Sequence, residues 1–180
     1  MQYISYYNSP LGRMTMAAED GALIGLWFEG QKYFAATLDK DAEEADLKVF
    51  DEAKRWLDIY FKGECPDFIP KVSPKGTDFR KRVWESLLRI PYGEVVTYND
   101  IAKEIARERG CRTMSAQAVG GAVGHNPISV IIPCHRVIGS NGSLTGYAGG
   151  LELKERLLEL EKDPLPTSPR GGDEKYELCN

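Results

Sequence analysis

The sequence predicts a mixed α+β fold in which a strand-rich first part is followed by a helical second part. Short apolar segments separated by turn residues fill the first thirty positions. Beyond residue 47, apolar residues recur instead at helical spacing. Pro70, Pro74 and Gly76 interrupt the pattern between the two parts of this 180-residue chain. We therefore expect one domain over residues 1–72 and another over residues 76–163.

The first domain is predicted to hold three strands and one helix. The strands cover Tyr3–Tyr7, Gly12–Ala18 and Ala22–Phe28, and Asn, Asp, Gly, Ser and Pro occupy the turns between them. Aromatic and leucine side chains at helical spacing predict a helix over Leu47–Phe61, which Gly63 and the residues after it end. No group of reactive side chains stands out here, so we expect this domain to be a scaffold.

The second domain is predicted to hold four helices and a short extended segment, Val95-Val96. Thr77 or Asp78 can cap the first helix, while Thr97 and Asp100 have the spacing of a capping box at the second. The chain beyond Pro164 is rich in Pro, Gly and charge, and we expect residues 164–180 to be a disordered tail. The helices are predicted over Asp78–Arg89, from Thr97 past Ile105, over Met114–Val123 and over Leu151–Glu161.

The helix predicted over Met114–Val123 is almost without bulky side chains. Each glycine inside a helix lowers its stability by about 1 kcal/mol relative to alanine. Gly120 and Gly121 therefore indicate that another group lies close to this helix. Close packing of another helix is the more ordinary explanation, and close approach of a DNA backbone is the alternative. The pair of helices also resembles a helix-turn-helix, although the connection through Arg107–Arg112 is longer than the usual three or four residues.

Composition restricts the function without deciding it. The net charge is -4, but residues 1–75 carry -4, residues 76–160 carry +2 and residues 161–180 carry -2. The second domain therefore permits contact with phosphates without demanding it. No apolar run approaches the length of about 20 residues that a membrane helix needs, and the N-terminus does not resemble a secretory signal. We expect a cytoplasmic protein that does not bind membranes.

A thiol and an imidazole are adjacent at Cys134 and His135. They lie between an apolar run that ends at Ile132 and a stretch from Gly139 to Gly150 that is rich in glycine and polar residues. A cysteine reacts as its thiolate, and a neighbouring base or cation can lower its pKa from about 8.5 into the neutral range. A lone cysteine is more often buried and inert, but this frame makes Cys134 a candidate nucleophile. The four cysteines and two histidines match no zinc-binding spacing, so no metal is expected.

The second part of the chain resembles the O6-alkylguanine-DNA alkyltransferases, also called methylated-DNA–protein-cysteine methyltransferases. The similarity covers about residues 76–161 in the family's order, whereas the first part matches only in size and pattern. The matching segments are Phe79-Arg80-x-x-Val83-Trp84, Ile90-Pro91-Tyr92-Gly93, Thr97-Tyr98, Ala118-Val119-Gly120-x-Ala122, Asn126-Pro127, Ile132-Pro133-Cys134-His135-Arg136-Val137 and Gly146-Tyr147-x-Gly149-Gly150-Leu151.

The resemblance implies a DNA repair protein that acts once. Such a protein flips an alkylated guanine out of the duplex and transfers the alkyl group irreversibly to its own cysteine. The implied fold is a small ribonuclease H-like α/β domain followed by a winged-helix-like helical domain. The implied partner is double-stranded DNA carrying O6-alkylguanine, with O4-alkylthymine as a second substrate. A monomer without a cofactor is expected.

The resemblance also assigns roles to particular residues. Cys134 would be the nucleophile, His135 the base acting through a water, and Glu161 the group that orients the imidazole, while Asn126 braces the site. Gln117 stands where the family often has an arginine that fills the gap left by the flipped base. The implied substrate-binding residues are Tyr98, Tyr147, Val137 and Ala148, and the implied DNA-binding residues are Gln117, Ala118, Gly120 and Ser140.

Several alternatives remain open from the sequence. Arg136 either pairs inside the protein or contacts DNA. A cysteine hydrolase would regenerate Cys134 after each turnover. A sensor of damaged DNA, or a transcription factor on the same fold, would bind without transferring anything. An alkyltransferase would take one alkyl group per protein molecule, a hydrolase would remove many, and a protein that only binds would remove none.

Overall fold

The first part of the chain forms a four-stranded sheet with one helix packed against it. The computed structural model describes residues 1–162, so the predicted disordered tail lies outside the described residues. The elements are β1 (Tyr3–Ser9), β2 (Gly12–Glu19), β3 (Ala22–Phe28), β4 (Glu43–Glu44) and α1 (Lys48–Phe61). The strand order is β3-β2-β1-β4, in which β2 is antiparallel to both neighbours and β4 is parallel to β1.

Helix α1 buries an aromatic and aliphatic face against the sheet. Phe50, Trp56, Leu57 and Tyr60 are all buried on this face. Each large apolar side chain removed from water stabilises the fold by about 1.5–3 kcal/mol. Tyr60 lies in the last turn of the helix and extends this face toward the second part of the chain.

The second part consists of four helices and a pair of very short strands. The Thr97 hydroxyl accepts a hydrogen bond from the Asp100 backbone, and the Asp100 carboxylate accepts one from the Thr97 backbone, which confirms the predicted capping box. The helix predicted from Met114 starts two residues later, because Ser115 caps it. The elements are α2 (Asp78–Leu88), β5 (Val96–Thr97), α3 (Tyr98–Glu108), α4 (Ala116–Gly124), a 3-10 turn (Cys134–Arg136), β6 (Val137–Ile138) and α5 (Leu151–Lys162).

The two parts share one continuous apolar core. Residues as far apart as Met14 and Leu157 belong to the same buried cluster. The outer strand β3 also bonds directly to the second part: the Leu26 N–H donates to the Pro127 carbonyl, and the Ser129 N–H donates to the Leu26 carbonyl, both at 2.8 Å. The predicted α+β class is thus confirmed. No helix within residues 1–162 is both long and apolar enough to cross a membrane.

Candidate active site

Cys134 lies in the 3-10 turn at the end of a fully buried segment. Its side chain is only 4% exposed. Before it, Val130 has a φ of 70°, in the left-handed region that a β-branched residue rarely adopts. Such a conformation costs about 1–3 kcal/mol and persists only where the surrounding structure imposes it. The chain therefore approaches Cys134 through a strained, rigidly held bend.

Asn126 holds that bend from the inside. It lies just beyond the C-terminus of α4, and its buried amide donates to the backbone carbonyls of Ile132 at 2.8 Å and Ile128 at 3.2 Å. The Asn126 carbonyl in turn accepts from the Ile128 N–H at 3.0 Å. The same side chain interacts with the Cys134 thiol. The structure thus places Asn126 beside Cys134, in a position suited to the bracing role expected from the sequence.

His135 and Glu161 form a fully buried pair. The Nε2 atom of His135 lies 2.6 Å from Oε1 of Glu161, and neither side chain is more than 1% exposed. Because the carboxylate engages Nε2, we assign the Nε2–H tautomer, which leaves the lone pair on Nδ1. Nδ1 is buried and has no hydrogen-bond partner among residues 1–162. The imidazole is therefore oriented with its basic nitrogen free.

Arg136 pairs inside the protein, which settles the question that the sequence left open. Its guanidinium donates to both oxygens of Glu161 at 2.9 and 3.0 Å, and to the Ile90 carbonyl at 2.7 Å. Glu161 also accepts from the Gly93 N–H at 3.2 Å and from the Tyr60 hydroxyl at 2.8 Å. Burial alone would raise the pKa of Glu161, but His135 and Arg136 outweigh it and hold that pKa far below its usual range.

Burial decides the protonation of the other two groups. It raises the pKa of the Cys134 thiol to about 11, although Asn126 and Lys154 partly oppose the shift. A neighbouring base or cation can lower the pKa of a thiol, but in the resting protein desolvation exceeds that effect. Burial also lowers the pKa of His135. The resting site holds a neutral thiol beside a neutral imidazole, so the thiol can lose its proton to that base during a reaction.

Two further buried residues belong to this site and were not predicted from the sequence. Lys154 on α5 is completely buried and donates to the carbonyls of Val137 and Thr145. Burial lowers the pKa of Lys154 to about 8. Tyr60 comes from α1, in the part of the chain expected to be a scaffold, and its hydroxyl donates to Glu161. A lysine in an apolar helical stripe and a tyrosine 75 residues before His135 carry no local signal of these contacts.

The predicted substrate-binding residues surround the loop that follows β6. The Tyr98 hydroxyl donates to the Thr145 carbonyl at 2.8 Å, and the Ala148 carbonyl accepts from the Lys32 N–H at 2.9 Å. Burial is the main cause that raises the pKa of Tyr147, and the charge of a Cys134 thiolate would raise it further. This electrostatic interaction places the phenol near the thiol. Val137 is fully buried immediately after the 3-10 turn. Tyr98, Tyr147 and Val137 therefore lie near Cys134, and Ala148 follows Tyr147 in the same loop.

The predicted DNA-binding residues lie on the surface rather than in this cluster. Gln117, Ala118 and Ser140 are exposed, and Gly120 is half-buried beside Tyr98. A methyl group built at Gly120 would lie 3.8 Å from the Tyr98 ring, and one at Gly121 would meet nothing within 4 Å. Close packing within the protein therefore does not explain these glycines. Apart from Gln117, the exposed and half-buried positions of α4 carry only alanine and glycine, which form a ridge without large side chains.

Family models match nearly all of the described chain. Residues 2–72 match the model described as the ribonuclease-like domain of 6-O-methylguanine DNA methyltransferase. Residues 78–163 match the model described as the DNA binding domain of the same protein. The two matches meet at the Pro- and Gly-containing segment that interrupts the sequence pattern.

Whole-chain comparisons agree with these matches. A methylated-DNA–protein-cysteine methyltransferase of Methanosarcina acetivorans is 45% identical over 160 residues, which cover 88% of this chain and 97% of the relative. The crystal structure of the Mycobacterium tuberculosis O6-methylguanine methyltransferase has a TM-score of 0.78 at 42% identity, and the match covers 93% of this chain and 97% of that one. The structure of Mycobacterium tuberculosis OGT in complex with DNA gives a TM-score of 0.77 at 42% identity, over 89% and 92% of the two chains.

Proposed function

Because this chain belongs to the methylated-DNA–protein-cysteine methyltransferase family, we propose that Cys134 is the residue that accepts the alkyl group from O6-alkylguanine. DNA repair by alkyl transfer is the activity of the family. The observation that carries the assignment to Cys134 is the buried imidazole–carboxylate pair of His135 and Glu161 directly beside the thiol. We propose O6-alkylguanine in duplex DNA as the substrate, with O4-alkylthymine as a second one.

The transfer follows from the protonation states of the site. The Cys134 thiol gives its proton to Nδ1 of His135 through a water, and Glu161 stabilises the imidazolium that forms. The thiolate sulfur then attacks the alkyl carbon, a sulfur–carbon bond forms, and the bond from that carbon to O6 breaks. The departing guanine takes the proton from His135. The products are unmodified guanine, a neutral imidazole and a thioether that water does not readily cleave, so each molecule acts once.

The pocket for the flipped base would be formed by the elements around the β6–α5 loop. Tyr98, Tyr147, Val137 and Ala148 are the residues proposed to contact the base. Lys154 and Tyr98 both bond to the Thr145 carbonyl, which supports this role because it gives the loop a defined position. Extrusion of a base from the duplex costs roughly a few kcal/mol, and contacts between this pocket and the base must offset that cost.

The DNA-binding surface would be centred on α4. Small residues permit close approach to a groove, so Ala118 and Gly120 are proposed to face the DNA, with Gln117 in the gap left by the flipped base and Ser140 on the backbone. The preceding connection adds positive charge. Arg107, Arg109 and Arg112 are exposed and form no ion pair within residues 1–162, whereas Glu104 and Glu108 are neutralised by Arg82 and Arg89.

We propose that a single molecule carries out the reaction, since Cys134, His135 and Glu161 come from one chain. The proposed proton and alkyl transfers require no cofactor or metal. We propose the cytoplasm as its location, because the reaction needs a reduced thiol and access to DNA. We also propose the division into domains over residues 1–72 and 76–163. Because the two parts share one core, the division describes the organisation of the chain and does not imply that each domain folds by itself.

Intact-protein mass after mixing with duplex DNA that contains one O6-methylguanine tests the proposal. We expect one added methyl group, saturating at one per chain and mapping to the peptide that contains Cys134. Cys134→Ala should abolish transfer and still bind the lesion, while Cys111→Ala, which removes an exposed free thiol, should transfer normally. Repaired DNA with unchanged protein mass would indicate turnover, and unrepaired DNA would indicate a protein that only binds; either result refutes the proposal.

A further inference from the structure

Tyr60 brings the first part of the chain into the candidate active site. Its side chain is fully buried at the end of α1. The hydroxyl donates to Oε1 of Glu161 at 2.8 Å and lies 3.4 Å from Nε2 of His135. The oxygen it contacts is therefore the same one that holds the imidazole.

The surrounding aromatic side chains fix the position of this hydroxyl. The Tyr60 ring stacks on Trp56 at 5.2 Å between centroids and an interplanar angle of 10°. The rings of Phe61 and Tyr92 meet it edge-on at 5.3 and 6.0 Å. A ring held on several sides loses little additional freedom when its hydroxyl bonds, so the interaction with Glu161 is preorganised. Burial and Glu161 raise the pKa of Tyr60 well above its usual range, which keeps it a donor.

We propose that Tyr60 is a positioning residue for alkyl transfer, whose hydroxyl holds Oε1 of Glu161 in place and withdraws charge from it. This inference rests on the proposed roles of Cys134, His135 and Glu161. It gives the first domain a part in the reaction beyond scaffolding. The acting atoms are the Tyr60 hydroxyl, the shared carboxylate oxygen and the imidazole nitrogen.

The sign of the effect follows from competition at that oxygen. A hydrogen bond from the Tyr60 hydroxyl draws negative charge from Oε1 of Glu161. Without that bond, the carboxylate stabilises an adjacent imidazolium more strongly. Removing the Tyr60 hydroxyl therefore favours protonated His135, which cannot accept the proton of Cys134. The other titratable groups facing the pair are Arg136, Tyr92, Tyr147 and, from α5, Lys154. None of these changes in a Tyr60→Phe variant, so the change in pH dependence reports on the hydroxyl alone.

The test is the single-turnover rate of methyl transfer in Tyr60→Phe between pH 5.5 and 9, at saturating DNA. The acid limb of the pH–rate profile is the range in which the rate falls as His135 becomes protonated. We expect it to move to higher pH by about one unit, which corresponds to about 1.4 kcal/mol of additional stabilisation of the imidazolium. The rate should fall about tenfold below the limb and equal that of the unmodified protein above it. The matched control is Tyr7→Phe, which removes a 2.7 Å bond from a tyrosine to Asp58 of the same helix, outside the site. It should change nothing.

Three other outcomes overturn the inference. A uniform loss of rate at every pH would mean that Tyr60 only supports packing, and an unchanged profile would mean that the bond is irrelevant to transfer. If Tyr60→Phe does not fold, difluorotyrosine inserted at position 60 keeps the ring and strengthens the donor. It should then move the limb downward, and no shift would refute the inference. Absence of transfer in the unmodified protein refutes the proposed function instead, so the two failures are distinguishable.

Discussion

Desolvation determines the protonation states of Cys134 and His135, whereas hydrogen bonds to Glu161 outweigh desolvation at that residue. The Cys134 thiol and the His135 imidazole are both pushed toward their neutral forms by burial. Glu161 is equally buried but remains an anion, because His135, Arg136, Tyr60 and the Gly93 N–H all donate to it. The site therefore combines one stable ion pair, Glu161 with Arg136, and two neutral groups between which we propose that a proton moves during transfer.

Lys154 provides a test of this balance. Lys154→Met keeps the length of the side chain and removes its charge and its two hydrogen bonds to the carbonyls of Val137 and Thr145. We expect methyl transfer at pH 7 to slow by about three- to tenfold, because the cation helps to lower the pKa of Cys134. The free energy of unfolding should fall by about 1–3 kcal/mol, because the buried carbonyl of Val137 loses its hydrogen-bond donor.

Single-turnover rates and thermal denaturation measure the two effects of Lys154→Met. Lys62→Met is the control, because Lys62 is an exposed lysine just after α1 and should leave both quantities unchanged. A variant that transfers at the normal rate would show that Lys154 has no part in the activation of Cys134.

At the scale of elements, the local sequence predicted helices well and pairings poorly. The capping box at Thr97 and the start of α1 after Leu47 depend on neighbouring residues, so the sequence contains the information. The strand pairs at Glu43–Glu44 and Val137–Ile138 are two residues long and exist only because a distant segment lies beside them. The same limit explains the site. The cluster around Cys134 was predicted through motifs, whereas Tyr60 depends on packing between remote helices.

Helix α4 contains glycines that the fold itself does not need. Gly121→Ala places a methyl group in open space on this helix. We expect the free energy of unfolding to rise by about 0.5–1 kcal/mol, because alanine is the better helix former. Affinity for duplex DNA should fall severalfold, because the methyl group would lie on the ridge proposed to enter the groove. Chemical denaturation and DNA titration measure the two quantities, and a stabilised variant with unchanged affinity would exclude contact at Gly121.

The connection between α3 and α4 leads to a separate prediction about DNA affinity. Replacing Arg109 and Arg112 together by alanine should weaken binding to all duplexes alike and reduce the salt dependence of log K by about 1–2, because each phosphate that an arginine neutralises adds roughly 0.9 to this slope. Titrations at several salt concentrations measure the slope. Arg55→Ala on α1, remote in sequence from the proposed DNA surface, is the control. An unchanged slope in the double variant would place the connection away from the phosphates.

For the whole molecule, the continuous core makes the active site part of the stability of the fold. Glu161 bonds to residues on both sides of the sequence boundary, including Tyr60 and Gly93. The same hydrogen bonds that prepare the site therefore hold the first domain against α5. A change in the charge of this cluster should affect unfolding as well as transfer.

Acidification should destabilise the protein in two stages. The pKa of His135 is lower in the folded state than its unfolded value of about 6.5, so the unfolded chain binds more protons and stability falls as the pH drops below that value. The depressed pKa of Glu161 extends the loss below about pH 4.3, where an unfolded glutamate begins to bind its proton. Thermal denaturation between pH 7.5 and about 2 measures both stages.

Replacement of each histidine in turn separates the contributions to the first stage. His135→Gln should flatten the decline between about pH 6.5 and 5, since the group that titrates there is gone. His125→Gln removes the chain's other histidine, which is partly exposed at the end of α4, and should leave the decline unchanged. A decline that follows His125 instead would contradict the buried-imidazole explanation.

The burial of Cys134 also determines how the protein withstands oxidants. Peroxides and other electrophiles react with exposed thiolates, whereas this thiol is 4% exposed and protonated at neutral pH. Cys111 is the exposed free thiol within residues 1–162 and would be oxidised first. A molecule that can react only once is thereby shielded from reagents that would inactivate it before it meets a lesion. Its working lifetime should then depend more on encounters with damaged DNA than on encounters with oxidants.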